Sequence, residues 1–371
     1  MGKLALIVAA ILALNSITDT QILLNAQTKR EPDYLLTGKV NKLFAEWDRP
    51  DCPGCALAII KDGQIIYKHG YGIANLEYNI PITPSSVFYV GSIAKQFTAM
   101  CIALLVQQGK LSLDDNIRKF TPEIPDYGAP ITIRHLIHHT SGLRDFWDLI
   151  GQAGRRWDDA YNINDVIEAV TKQKDLNCKP GEKHIYSNSG YMLLAVIVQR
   201  ATGKSLREYA EEQIFKPLGM RHTRFHDDHT SILRNRAFGY VPQNGNDFSV
   251  HSINNDLVGA GGLWTTVEDL SLWDANFYTA KVGGRGLIQQ IQTPGTVTDG
   301  TKIDYAFGLH IDEYKGLKRV RHGGVFAGYR AEMIRFPDKR FSVALLCNSS
   351  SIVPTKIANE IADIFLFDQH K

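Results

Sequence analysis

The chain has 371 residues, 44% hydrophobic and 22% charged, the composition of an ordinary folded protein with ample length for a full core. Forty-one basic residues stand against 39 acidic ones, a formal net charge of +2. That balance argues against nucleic acid or an anionic membrane as the main partner. Five cysteines are far too few for a disulfide scaffold.

The N-terminus reads as an address. Lys3 precedes "LALIVAAILAL", residues 4–14. The run is shorter than the roughly 20 residues that span a bilayer. It fits a secretory signal over residues 1–26, cleaved after Ala26, or an anchor if it stays uncleaved. "KVNKLFAEW" then places Val40, Leu43, Phe44 and Trp47 on one side of a helix. "CPGC", residues 52–55, has C-x-x-C spacing, but a strand follows where a redox motif would open a helix. Small buried residues or one incidental disulfide account for it. Two β-rich runs flank Asp62-Gly63, a hairpin signal.

The middle of the chain is helical. "AKQFTAMCIALLVQQGKL" ends at Gly109, and "ITIRHLIHHTSGL" at Gly142. "INDVIEAVTKQ", "GYMLLAVIVQRATGK" and "SLREYAEEQIFKPLGM" follow, the last with Ser205 and Glu208 at capping-box spacing. "TTVEDLSLWDANFY" repeats that spacing with Thr266 and Asp269. Strands return in "YAFGLHIDEY", "LKRVRHGG", "GYRAEMIRFP" and "RFSVALLCN", with "PDKR" as a turn, and "PTKIANEIADIFLF" closes the chain as an amphipathic helix. Strands at both ends around a helical middle predict one α/β (α+β) domain, an antiparallel sheet flanked by helices. Its pieces are residues 34–98 and 285–371, an all-helical domain is inserted over 99–284, and the active site lies between them.

Three short stretches carry chemistry. In "YVGSIAKQF", Gly91 allows a tight turn, Ser92 opens a helix, and Lys95 lies one turn on, on the same face. A serine needs a base to attack, and a desolvated lysine can lose its proton and serve. In "YSNSGY", Tyr186 and Asn188 sit in a loop at a helix start. A phenol beside an ammonium has its ionised form favoured, and an Asn amide can orient a lysine or a substrate carbonyl. In "RHGGVFAGYR", His322 precedes Gly323 and Gly324, and the Val325 N–H could face an oxyanion. Each stretch alone is commonplace as a cap or a turn.

Together and in this order they are specific. The sequence resembles the serine β-lactamase-like family: class C β-lactamases, D-Ala-D-Ala carboxypeptidases, related esterases and D-aminopeptidases. The resemblance covers roughly residues 35–365, with "PGCALAIIKDGQIIYKHGYG", "LIHHTSGL" and "GAGGLWTTVEDL" as further blocks. It implies Ser92 as the acylated nucleophile, with Lys95 and Tyr186 as its base system; which takes the first proton stays open. It implies Asn188, His322, Gly324 and Val325 as substrate-binding positions, with the N–H groups of Ser92 and Val325 as oxyanion hole.

His322 stands where β-lactamases of this family carry the lysine of Lys-Thr-Gly. A histidine near pH 7 is mostly neutral and Gly323 has no hydroxyl, so recognition of a β-lactam carboxylate should weaken. The expectation is an exported hydrolase of an ester or a small peptide, a carboxylesterase or peptidase rather than an efficient β-lactamase. D-alanyl-D-alanine carboxypeptidase, D-aminopeptidase and weak class C-like β-lactamase activity are alternatives, and a catalytically silent sensor on the same fold is a rival of another class. No metal or organic cofactor is implied. His222, His226, Asp227, Asp228 and His229 read as a polar loop, and His135, His138 and His139 as structural.

Overall fold

Each β-rich run that alternates or is continuously apolar forms a strand, and their pairing is set by long-range packing. The computed structural model describes residues 34–244, 247–251 and 253–367. The secretory signal expected over residues 1–26 lies outside them. The chain divides into two compact units, Met1–Lys42 and Leu43–Lys371. In the first, the described part holds the helix Tyr34–Lys42. The helix expected over 39–47 therefore ends early. Past it, Phe44 stacks flat on Tyr71 with ring centroids 4.1 Å apart.

The second unit is built on a six-stranded sheet. In chain order its strands are β1 (Cys55–Lys61), β2 (Gln64–Tyr71), β10 (His310–Tyr314), β11 (Leu317–Phe326), β12 (Tyr329–Phe336) and β13 (Phe341–Cys347). Short pairs lie outside it: β3 (Ile73–Asn75) with β4 (Ile80–Pro81), β5 (Phe88–Tyr89) and β6 (Arg224–Phe225) on β9 (Leu263–Thr265), and β7 (Tyr240–Pro242) with β8 (Phe248–Val250). The spatial order of the large sheet is β10-β11-β12-β13-β1-β2, every pair antiparallel. The β1–β2 hairpin turns through Asp62 and Gly63, both at positive φ, as the Asp-Gly signal requires. β13 inserts between β12 and β1, so strands from both ends of the unit share one sheet. Its residues are all buried, in keeping with a central strand covered on both faces.

Adjacent residues on β13 point to opposite faces. Ser342 reaches Asp274 of the helix Val267–Thr279, and Phe341 stacks on Phe365 of the helix Pro354–Leu366. The two helices therefore cover opposite faces of the sheet. Asp274 also pairs with Arg335 at 2.7 Å, both buried. Ala344 and Leu346 point the other way from Phe341 and join a core that takes in the helices Ala94–Gln107 and Asn188–Thr202. Of the two capping boxes expected, Ser205 and Glu208 form a complete one. Thr266 caps Asp269 N–H, but the Asp269 carboxylate turns to His222 N–H and Thr223 Oγ1 instead of returning the bond.

One disulfide joins the sheet, and it is not within "CPGC". Cys55 bonds to Cys347 directly opposite on β13, while Cys52 is free and buried.

Candidate active site

Ser92 is not a helix cap. It sits in a short 3-10 turn, Gly91–Ile93, that leads into the helix Ala94–Gln107, and neither element has a side-chain cap bond. Its hydroxyl is committed elsewhere. Lys95 Nζ lies 2.9 Å from Ser92 Oγ, and the Tyr186 hydroxyl donates to the same oxygen at 2.9 Å.

The turn is held open by backbone. Gly91 has φ +53°, and a Cβ there would lie 2.8 Å from the Val325 nitrogen. A Cβ on Gly324 would lie 1.9 Å from the Val90 carbonyl oxygen. Two glycines thus let the end of β11 press against the turn that carries Ser92. β10 pairs with β11 only as far as Arg321, so past that point this edge of β11 faces the turn instead of another strand.

Lys95 is fully buried on the helix Ala94–Gln107. Besides Ser92 its amine bonds the Asn188 Oδ1 at 2.9 Å and the Ala260 carbonyl at 2.8 Å. The "GAGGL" loop thus brings a backbone carbonyl up to the site. Burial lowers the Lys95 pKa to about 7, opposed by the charge of Asp145. A neutral amine has two N–H donors and one lone pair. The two carbonyl partners take the donors, and the lone pair is left for the Ser92 hydroxyl.

Asn188 starts the helix Asn188–Thr202. Its Nδ2 donates to the Asp145 carboxylate at 2.9 Å, and its backbone N–H donates to the same oxygen. This fixes the amide with Oδ1 toward Lys95. Asp145 itself caps the helix Phe146–Gln152. Sequence reasoning missed Asp145; its signal, an Asp just ahead of "FW", reads only as a cap.

Tyr186 is 37% exposed, with its hydroxyl held against Ser92 Oγ. Burial pushes the phenol up, so it stays protonated and acts as a donor. The expected stabilisation of a phenolate by an ammonium loses to desolvation. His139, at φ +55°, stacks on Tyr186 with ring centroids 4.2 Å apart, and its Nδ1 accepts from Ser187 N–H. It holds the Tyr186–Asn188 loop in place.

His322 stands on β11, as the sequence reading places it, with its ring centroid 6.5 Å from that of Tyr186. It is 4% exposed. Its Nε2 lies 3.0 Å from the Tyr305 hydroxyl and its Nδ1 2.6 Å from the Gly323 carbonyl oxygen. Burial, with the nearby Lys95 charge, pushes its pKa well below the ordinary value. A neutral ring with Nδ1–H donating and Nε2 accepting satisfies both partners. His322 is therefore braced through both ring nitrogens. Tyr305 was not foreseen; nothing in its local sequence marks it.

A cleft of about 500 Å³ opens at Ser92. Asn188 and Val325 line it; Tyr186 and His322 do not. Its apolar wall includes Trp147, Trp157 and Phe326. Elsewhere, the His229 backbone N–H and ring bond Asp256, and His226 lies against Arg224.

A family model described as Beta-lactamase matches residues 40–364. The D-aminopeptidase of Gluconobacter oxydans is 30% identical over 311 residues, 84% of this chain and 58% of that protein. Penicillin-binding protein 4* of Bacillus subtilis is 32% identical over 309 residues, 77% of this chain and 66% of that protein. The octameric penicillin-binding protein homologue from Pyrococcus abyssi superposes with a TM-score of 0.79 at 30% identity, over 89% of this chain and 77% of that one. The chain spans about three fifths of the length of these curated relatives. With this match over most of its length, the chain belongs to the Beta-lactamase family, among the serine β-lactamase-like hydrolases and related to D-aminopeptidases and penicillin-binding proteins.

Proposed function

We propose that this protein is a serine hydrolase that cleaves an ester or amide through an acyl-enzyme on Ser92. The observation that carries this is Lys95: a fully buried amine, brought to about 7, 2.9 Å from the serine oxygen. Neutral Lys95 takes the Ser92 proton as Oγ attacks the carbonyl carbon. The oxyanion is met by the N–H groups of Ser92 and Val325. Collapse breaks the bond to the leaving group, which takes a proton from the Lys95–Tyr186 pair, with the Tyr186 O–H as the facing donor. Water then attacks the acyl carbonyl, and the pair works in reverse to free Ser92.

The lining of the cleft supports a narrower substrate class. An aminopeptidase needs a counter-charge for the substrate ammonium, and no Asp or Glu is among the described residues lining the cleft. His322 is neutral, so the fixed cation that would favour a β-lactam carboxylate is missing at that position. A carboxylesterase or an amidase of an uncharged amine end is the better fit. Export to an oxidising compartment is part of the proposal, supported by the Cys55–Cys347 bond.

Pre-steady-state hydrolysis of p-nitrophenyl butyrate tests the mechanism. A burst of nitrophenol near one equivalent per enzyme is expected, because the activated nitrophenol leaves faster than the acyl-enzyme is hydrolysed. Turnover that persists in Ser92→Ala would overturn it. A lasting adduct with penicillin G, or release of D-alanine from D-alanyl-D-alanine peptides, would move the assignment to the peptidase branch.

A further inference from the structure

The cleft carries one charge that the chemistry at Ser92 does not use. Among the described residues lining it, Arg330 is the one Asp, Glu, Lys or Arg. Arg330 lies directly across from Val325 in the β11–β12 ladder, so the two side chains emerge on the same face of that hairpin. Its Nη1 donates to the carbonyl oxygens of Ala327 at 3.0 Å and Tyr329 at 2.7 Å. Both acceptors are neutral and belong to its own hairpin. They orient the guanidinium without cancelling its charge.

Other arginines of this sheet are paired with carboxylates. Arg319 and Arg321 both bind Asp312, and Arg335 binds Asp274. No carboxylate among the described residues pairs with Arg330, and burial alone acts on its pKa, lowering it. A half-buried cation without an anion bears a desolvation cost that an incoming anion would relieve. Its Nε and Nη2 are not sealed from solvent and have no protein acceptor, which leaves one edge of the planar fork for a carboxylate.

The same geometry says which part of the substrate meets it. The leaving group departs toward its proton donor, Tyr186, which is outside the cleft lining. The acyl group is left to occupy the cleft. There Trp147 and Trp157 lie 5.1 and 5.9 Å from the Phe326 ring, an aromatic wall for a carbon chain.

We propose that Arg330 binds a carboxylate on the acyl part of the substrate, making the enzyme selective for esters or amides of acids that carry a second acid group. The assignment rests on the serine-hydrolase reading above and adds its substrate class.

The test uses matched esters that differ by one charge: mono-p-nitrophenyl adipate and suberate against their methyl p-nitrophenyl diesters. In the wild type, kcat/KM should favour the free acid by about tenfold or more for at least one chain length, the size of a charge-assisted pair. In Arg330→Met the ratio should fall to about one, and Arg330→Lys, which keeps a cation and guards against a folding failure, should restore part of it. Equal wild-type rates on both esters of each pair, or a preference retained in Arg330→Met, would overturn the assignment. Fluorophosphonate labelling of the wild type separates the two levels. A labelled enzyme without charge preference condemns Arg330 alone. A protein that neither labels nor cleaves these esters takes the hydrolase reading down, and this assignment with it.

Discussion

In the proposed mechanism Lys95 sets the pH behaviour of the site. Its pKa is lowered to about 7, and the proton-accepting form is the neutral one, present above that value. The logarithm of kcat/KM should therefore rise with a slope near one as pH approaches about 7 from below, then level off. A profile that falls as pH rises through 7 would mean that the ammonium is the working form. Asp145 is a positioning residue that acts through Asn188 and, by its charge, supports the Lys95 ammonium. In Asp145→Asn the rising limb should move to lower pH, and kcat/KM should fall by about tenfold, the order expected when an orienting partner is lost. A fall without the shift would make Asp145 merely structural. At this scale Ser92, Lys95, Tyr186 and Asn188 were singled out by three motifs taken together, each commonplace alone, and the structure brings their side chains into one hydrogen-bonded cluster. The protonation state of Tyr186 depends on burial, which spacing does not carry. Asp145, Tyr305 and Arg330 are single residues without a motif of their own.

Among elements, the contact between β11 and the Val90–Ser92 turn carries the geometry. Gly324→Ala would place a methyl 1.9 Å from the Val90 carbonyl oxygen, so the strand must move off the turn. The Val325 N–H moves with it. Activity on p-nitrophenyl butyrate should drop by about 100-fold or more, as when an oxyanion donor is removed. Wild-type kcat in this variant would show that the contact does not position the site. The helices and the two hairpin turns were readable from apolar period, caps and Asp-Gly or Pro-Asp signals. Their ends were less so. The helix expected through residue 47 stops at Lys42, and the short helix expected to reach Gly142 covers Ile133–Ile137, with His139 at positive φ beyond it. In both cases tertiary contacts of the next residues decide the end.

For the molecule as a whole, the strand order was the hidden part. Alternating and apolar runs announce strands but not their neighbours, and β13 between β12 and β1 joins residues nearly 300 apart. The same distance hid the disulfide. "CPGC" drew attention to a local pair, whereas Cys55 finds Cys347 at a sequence separation of 292. Replacing both by alanine should lower the unfolding free energy by about 2–4 kcal/mol under non-reducing conditions, because the cross-link restricts the unfolded chain. Guanidinium chloride denaturation checks it, and an unchanged midpoint would mean that the bond adds nothing to the sheet.

The most direct test of the central claim is intact-protein mass after exposure to a fluorophosphonate, for the wild type and for Ser92→Ala. The account predicts one adduct on the wild type, with elimination of fluoride, and none on the variant. An equal adduct on both would place the reactive group elsewhere. No adduct on either would mean that a serine held by Lys95 and Tyr186 is not a nucleophile in this protein.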